Sequence, residues 1–99
     1  MQRVNKINYK NKTIKIIWKS CTDCYGMYDS NSKTLTIHPE QSNYNLAKTI
    51  YHELWHIICD FNEIDINKIG EEKTAKLSEQ YVNLLKNNKR LKNFLNELY

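Results

Sequence analysis

The hydrophobic and polar positions of this chain follow two periods, one on each side of Pro39. Before Pro39, apolar residues alternate with polar ones, which is the period of half-buried strands. Lys6 to Tyr9 and Thr13 to Trp18 carry this alternation around Lys10-Asn11-Lys12, which reads as a hairpin turn. A third short strand is expected from Tyr25 to Asp29. Asp29-Ser30-Asn31-Ser32 is turn chemistry, after which Leu35 and Ile37 alternate with Thr34, Thr36 and His38. Pro39 closes this strand, because it has no N–H to give to a ladder.

Beyond Pro39 the period lengthens. Leu46, Ile50, Leu54, Ile57, Ile58 and Phe61 recur at steps of three and four residues, which traces one face of a helix. Ser42 or Asn43 suits the N-cap, and the helix should run to about Asp60 or Phe61. Glu63 to Lys68 reads as a polar connector, with Gly70 at the threshold of a second helix. That helix gathers Thr74, Leu77, Ser78, Tyr81, Leu84 and Leu85 on one face and ends near Asn87-Asn88. A last short helix groups Leu91, Phe94, Leu95 and Leu98. The expected fold is α+β, a small N-terminal sheet, antiparallel or mixed, followed by three helices.

Composition narrows the class. At 99 residues the chain has enough apolar material for one core, so residues 1–99 read as a single domain. Met1-Gln2-Arg3-Val4-Asn5-Lys6 lacks the apolar run of a signal peptide, and nothing later is apolar enough to span a bilayer. A cytoplasmic protein with no membrane partner is expected. Three cysteines, an odd number, argue against a disulfide-stapled secreted domain. The net charge of +4 is mild, and its lysines are scattered among acids and asparagines. Nucleic-acid footprints are clustered and interleaved with aromatics, so this balance reads as a solvated surface. A nucleic-acid partner is not expected.

The candidate chemistry lies in the first helix, at His52-Glu53-Leu54-Trp55-His56. Residues four apart on a helix project only ~40° from each other, one turn above the other. Two imidazoles so placed can close on one Zn²⁺ as two of its ligands. Glu53 points to the rim of the same patch, within reach of a water on the metal, and can serve as general base and then as acid. The competing reading is two surface histidines that share a helix face.

A catalytic zinc usually takes a third protein ligand and keeps one position open. No histidine follows His56, and position 62, six residues on, holds Asn62. The remaining candidates are acids on the following helix. Stepping back along its buried face from Tyr81 through Ser78 and Thr74 reaches Glu71, whereas Glu72 shares a strip with Ala75, Lys76 and Glu79. Periodicity therefore favours Glu71, with Glu72 as the alternate. Either could instead be an ordinary carboxylate favoured by the helix dipole.

Thr49 to Ile58, with Glu71-Glu72-Lys73-Thr74-Ala75-Lys76-Leu77-Ser78 after it, resembles the ImmA/IrrE-like zinc peptidases, gluzincins with an H-E-x-x-H helix. It is most similar to the very short forms found in phages and mobile elements. Gly26, the strand Thr34 to Ile37, and Tyr81 to Asn88 also fit, so the resemblance covers roughly residues 14 to 95. It implies a minimal zincin-like domain that hydrolyses a peptide bond in a protein substrate, with zinc held by His52, His56 and Glu71. The family pattern after the glutamate ligand is matched by Thr74, Leu77 and Ser78. Ala75 departs from it, standing where many relatives carry an acid that buttresses a zinc histidine.

Other residues are candidates on thinner grounds. His38 and Tyr25 could bind substrate or stabilise an oxyanion, as could Tyr28; the resemblance implies that the strand ending at His38 edges the cleft and can pair with an extended peptide. Cys21 and Cys24 have C-x-x-C spacing but no second pair to complete a metal site, and Cys59 reads as a small helix residue near the motif. Tyr51 and Trp55 read as packing. The alternative to an enzyme is a non-catalytic binding or inhibitor protein on a zincin-like scaffold, acting on a host protein. A DNA-associated protein would rest on the basic balance alone.

Overall fold

Lys10 and Asn11 both adopt left-handed backbone angles, with φ of 47° and 62°. Two such residues make the tight turn whose twist matches paired strands. In the computed structural model this turn joins β1 (Lys6–Tyr9) to β2 (Lys12–Trp18) as an antiparallel hairpin, and Lys12 already belongs to the second strand. The structure describes residues 3–20, 24–65, 67 and 71–98, with the side chains of 71–75 and 78 set aside. Two more strands follow, β3 (Gly26–Asp29) and β4 (Thr34–Ile37). The sheet order is β1-β2-β4-β3, with β2 and β4 parallel and β3 antiparallel to β4. The chain therefore steps outward to β3 before returning to fill the place beside β2.

One face of the sheet is apolar. Ile7, Ile14, Leu35 and Ile37 are buried, and three helices cover them. Helix α1 (Asn43–Phe61) starts at Ser42, whose hydroxyl accepts the Asn45 N–H at 3.2 Å. It ends in a Schellman-type turn: Ile64 N–H bonds Cys59 O, Glu63 N–H bonds Asp60 O, and Glu63 takes the left-handed position with φ of 54°. Helix α2 (Glu71–Lys86) and helix α3 (Lys89–Leu98) complete the layer. Leu77, Leu84, Leu91, Phe94, Leu95 and Leu98 close the core from that side. The α+β layout expected from the two periods is the one observed. No helix among the described residues is long and apolar enough to cross a membrane.

The connector holding Lys68 and Gly70 lies largely outside the described residues. At the far corner, Asn88 is buried between α2 and α3. Its amide accepts the Asn8 N–H and donates to Asn8 O and Leu84 O, at 2.8, 2.8 and 2.7 Å. A side chain from the helices thus takes the ladder groups that β1 leaves on its outer edge.

Candidate metal centre

Helix α1 is amphipathic because Leu46, Ile50, Leu54, Ile57 and Ile58 must face the sheet. That requirement fixes where the motif residues go. His52 is exposed and His56 half-buried on the flank, one turn apart. Their rings meet edge to face with centroids 4.7 Å apart, and the two Nε2 atoms are 3.0 Å from each other. Two nitrogens bound at 2.0–2.1 Å to a tetrahedral cation would be about 3.3 Å apart. The two nitrogens are within hydrogen-bond distance of each other, a separation also close to that of ligands sharing an ion. Glu53 completes the group, and the ligand atoms of His52, Glu53 and His56 all lie within 4.8 Å of one another. These three side chains are close enough together to hold a metal ion.

Glu53 differs from its neighbours in being 6% exposed. Its stem lies under the start of β3. A Cβ added to Gly26 would sit 3.5 Å from Glu53 Cγ and only 2.6 Å from Thr49 Cγ2. Gly26 is therefore required for space, since its φ is not positive. Thr49 cannot simply turn away, because its hydroxyl donates to Gln41 Oε1 at 3.0 Å. The Gln41 amide in turn donates to Tyr25 O and His38 O, and His38 N–H bonds Tyr25 O. One glutamine thus ties the start of β3 and the end of β4 to the helix that carries the motif.

Neither protein-family models, nor curated proteins, nor solved structures yield a match to this chain. The chemistry rests on the geometry.

The structure brings together His52, Glu53 and His56, and no other described histidine, cysteine or acid joins the group. The expected third ligands, Glu71 and Glu72, lie at the first turn of α2, and their side chains fall outside the described residues. Helix α2 does pack against α1, with the Tyr81 and Tyr51 rings edge to face at 5.2 Å. Trp55 packs against the core as read, whereas Tyr51 is 44% exposed, its ring 5.9 Å from that of Trp55. Trp55 Nε1 is buried with no hydrogen-bond partner among the described residues.

His38 and Tyr25 lie near each other, ring centroids 6.4 Å apart, outside the three-residue group. The strand ending at His38 does not edge the sheet: β4 is paired on both sides, and β3 is the edge strand next to α1. The parallel β2–β4 pairing, which alternation alone does not reveal, is the reason. Tyr28 is also not available as an oxyanion donor, because its hydroxyl donates to Asp60 Oδ2 at 2.7 Å. Burial, and then the Asp60 carboxylate, push this phenol well above its ordinary range. Cys59 is a core residue whose thiol is pushed up by burial and then by the charge of Asp65. Of the C-x-x-C pair, Cys24 is half-buried and Cys21 lies outside the described residues. Gln41, Thr49 and Asp60 were not legible as site supports, since no spacing links them to the motif.

Proposed function

We propose that this small domain is a zinc-dependent peptidase acting on an extended protein segment. The observation that carries the reading is the 3.0 Å approach of the two histidine Nε2 atoms beside a buried glutamate. His52 and His56 would hold the zinc, with Glu71, or Glu72 in its place, as third ligand. Zinc, when bound, supplies the Lewis acidity that makes water attackable near neutral pH and polarises the scissile carbonyl. Glu53 would take the proton of the attacking water and return it to the leaving amine. Its side chain is buried, with Cγ beside Gly26, which limits the freedom the carboxylate must lose on reaction. The outer edge of β3 has no strand partner among the described residues, and an extended peptide could pair there, next to Glu53. Tyr25 and Met27 are exposed on this strand and its approach and would meet the peptide's side chains.

The test combines metal content with cleavage of an unfolded protein such as casein. Wild type should carry one zinc, His56→Ala should lose it, and Glu53→Gln should keep it while cleavage drops by about a hundredfold or more. Protein that takes up no zinc on dialysis against it would end the proposal. If Glu53→Gln keeps the zinc and every biological effect, the chain is a binding protein on the same scaffold.

A further inference from the structure

At the corner opposite β3, a cavity of about 780 Å³ opens between β1 and the α2–α3 junction. It shares no residue with the His52–Glu53–His56 group. Its volume lies in the range of small-molecule sites, about 300–1,000 Å³. Five of the chain's fifteen cationic side chains line it, namely Arg3, Lys6, Lys86, Lys89 and Arg90, against one acid, Glu97. These residues come from both ends of the sequence, so the clustering is invisible along the chain. None of the five forms an ion pair among the described residues. Lys6 also stands directly opposite Lys15 in the β1–β2 register, and like charges so placed repel unless an anion lies nearby.

The lining has a second character. Asn5, Asn87 and Asn93 border the cavity, and their side-chain amides make no hydrogen bond among the described residues. Asn88 is spent on β1, so the cleft stays open while its edge is held. Arg3 turns its guanidinium to the Trp18 ring and Pro39 O, which leaves Lys6, Lys86, Lys89 and Arg90 around the cavity. Cations grouped about a compact volume match a phosphoryl group, which concentrates charge and acceptor oxygens at one point. Amides that both donate and accept match the edge of a base. Carboxylates strung along an acidic peptide would spread their charge beyond such a cavity.

We infer that this cleft binds the phosphate of a nucleotide, either free or as a unit of a single strand. The probes are ATP, pyrophosphate, a fluorescein-labelled oligothymidylate and an oligoglutamate of equal charge, each titrated into the full chain at low salt. At least one phosphate-bearing probe should bind, with affinity falling as salt rises from about 50 to 200 mM. ATP alone marks a free nucleotide, and preference for the oligonucleotide marks a strand. Lys86→Glu/Lys89→Glu/Arg90→Glu should weaken binding by about tenfold or more. An equal reversal elsewhere, Lys12→Glu/Lys48→Glu/Lys76→Glu, should change it by less than about threefold. Circular dichroism checks that both variants fold, and Lys86→Gln/Lys89→Gln/Arg90→Gln replaces the first if it does not. Equal losses in both sets, equally tight oligoglutamate, or no binding of any phosphate probe would overturn the inference.

Discussion

Gly26, at the start of β3, lies so close to α1 that one added carbon would sit 2.6 Å from Thr49 Cγ2. At β1, the opposite edge of the sheet, the Asn88 side chain takes the Asn8 ladder groups instead. Both edges must be managed, because unpaired ladder groups invite pairing with other chains. On the β3 side, close packing seats Gly26 against Thr49, with the Glu53 stem alongside. On the β1 side, a polar clamp satisfies the strand and leaves a cavity beside it. Packing fixes atoms where chemistry needs them fixed; a directional clamp lets a surface be both ordered and open.

The largest effect should come from breaking the clamp. In Asn88→Asp, the oxygen replacing Nδ2 would face the Asn8 and Leu84 carbonyls in a buried place. Urea unfolding should show a loss of about 3 kcal/mol. Asn88→Ala, which leaves the two Asn8 groups unpaired but adds no charge, should lose about 2 kcal/mol. If both variants stay within about 0.5 kcal/mol of wild type, the clamp is not what orders the β1 edge.

Next comes the close contact. Gly26→Ala should cost about 2 kcal/mol, through overpacking and not backbone strain. Thr49→Ser removes the obstructing methyl and keeps the hydroxyl that bonds Gln41. In that background Gly26→Ala should lose at most about half as much. Thermal or urea melts of the four proteins give the coupling directly. An unchanged penalty would place the crowding somewhere other than Thr49.

The same contrast explains what could be read from the chain. The strands, the helices and the convergence of His52, Glu53 and His56 follow from local periods, because side chains four apart on a helix must share a face. Even the cap was legible to within Ser42 or Asn43, since the Ser42 hydroxyl acts on a residue three positions away. Which strand forms the edge was not, because β4 entering between β2 and β3 is a fact of long-range pairing. Nor could the chain show that Arg3 and Lys6 share a cleft with Lys89 and Arg90. Gln41 and Asn88 were equally silent, as an amide's partners depend on where distant backbone happens to pass. The third metal ligand remains an expectation of periodicity, on Glu71 or Glu72.

The smallest predicted effect concerns the far end of β3, where Asp60 ties α1 to Tyr28 and Lys33, both bonds at 2.7 Å. Burial works against the Asp60 charge, but the hydrogen bonds from Lys33 and Tyr28, and the Lys33 charge, hold its carboxyl below the usual range. A carboxyl lowered by folding gives stability that is complete above its unfolded value of ~4 and is lost as pH falls through its folded value. The Tyr28 phenol shifts upward, so its contribution is complete below ~10 and is lost as pH rises toward the folded value. Asp60→Asn should therefore lose about 1 kcal/mol near neutrality, a modest figure because the pair is partly solvated. The difference from wild type in urea midpoint should shrink as pH falls from ~4 through the folded value. Stability should also fall less steeply above pH ~10, since the carboxylate that helps to raise the phenol is gone. A difference that stays constant from acid to alkali would mean that the Asp60 charge does nothing for β3, and that the contact at Gly26 and the Gln41 amide keep this strand on the motif helix.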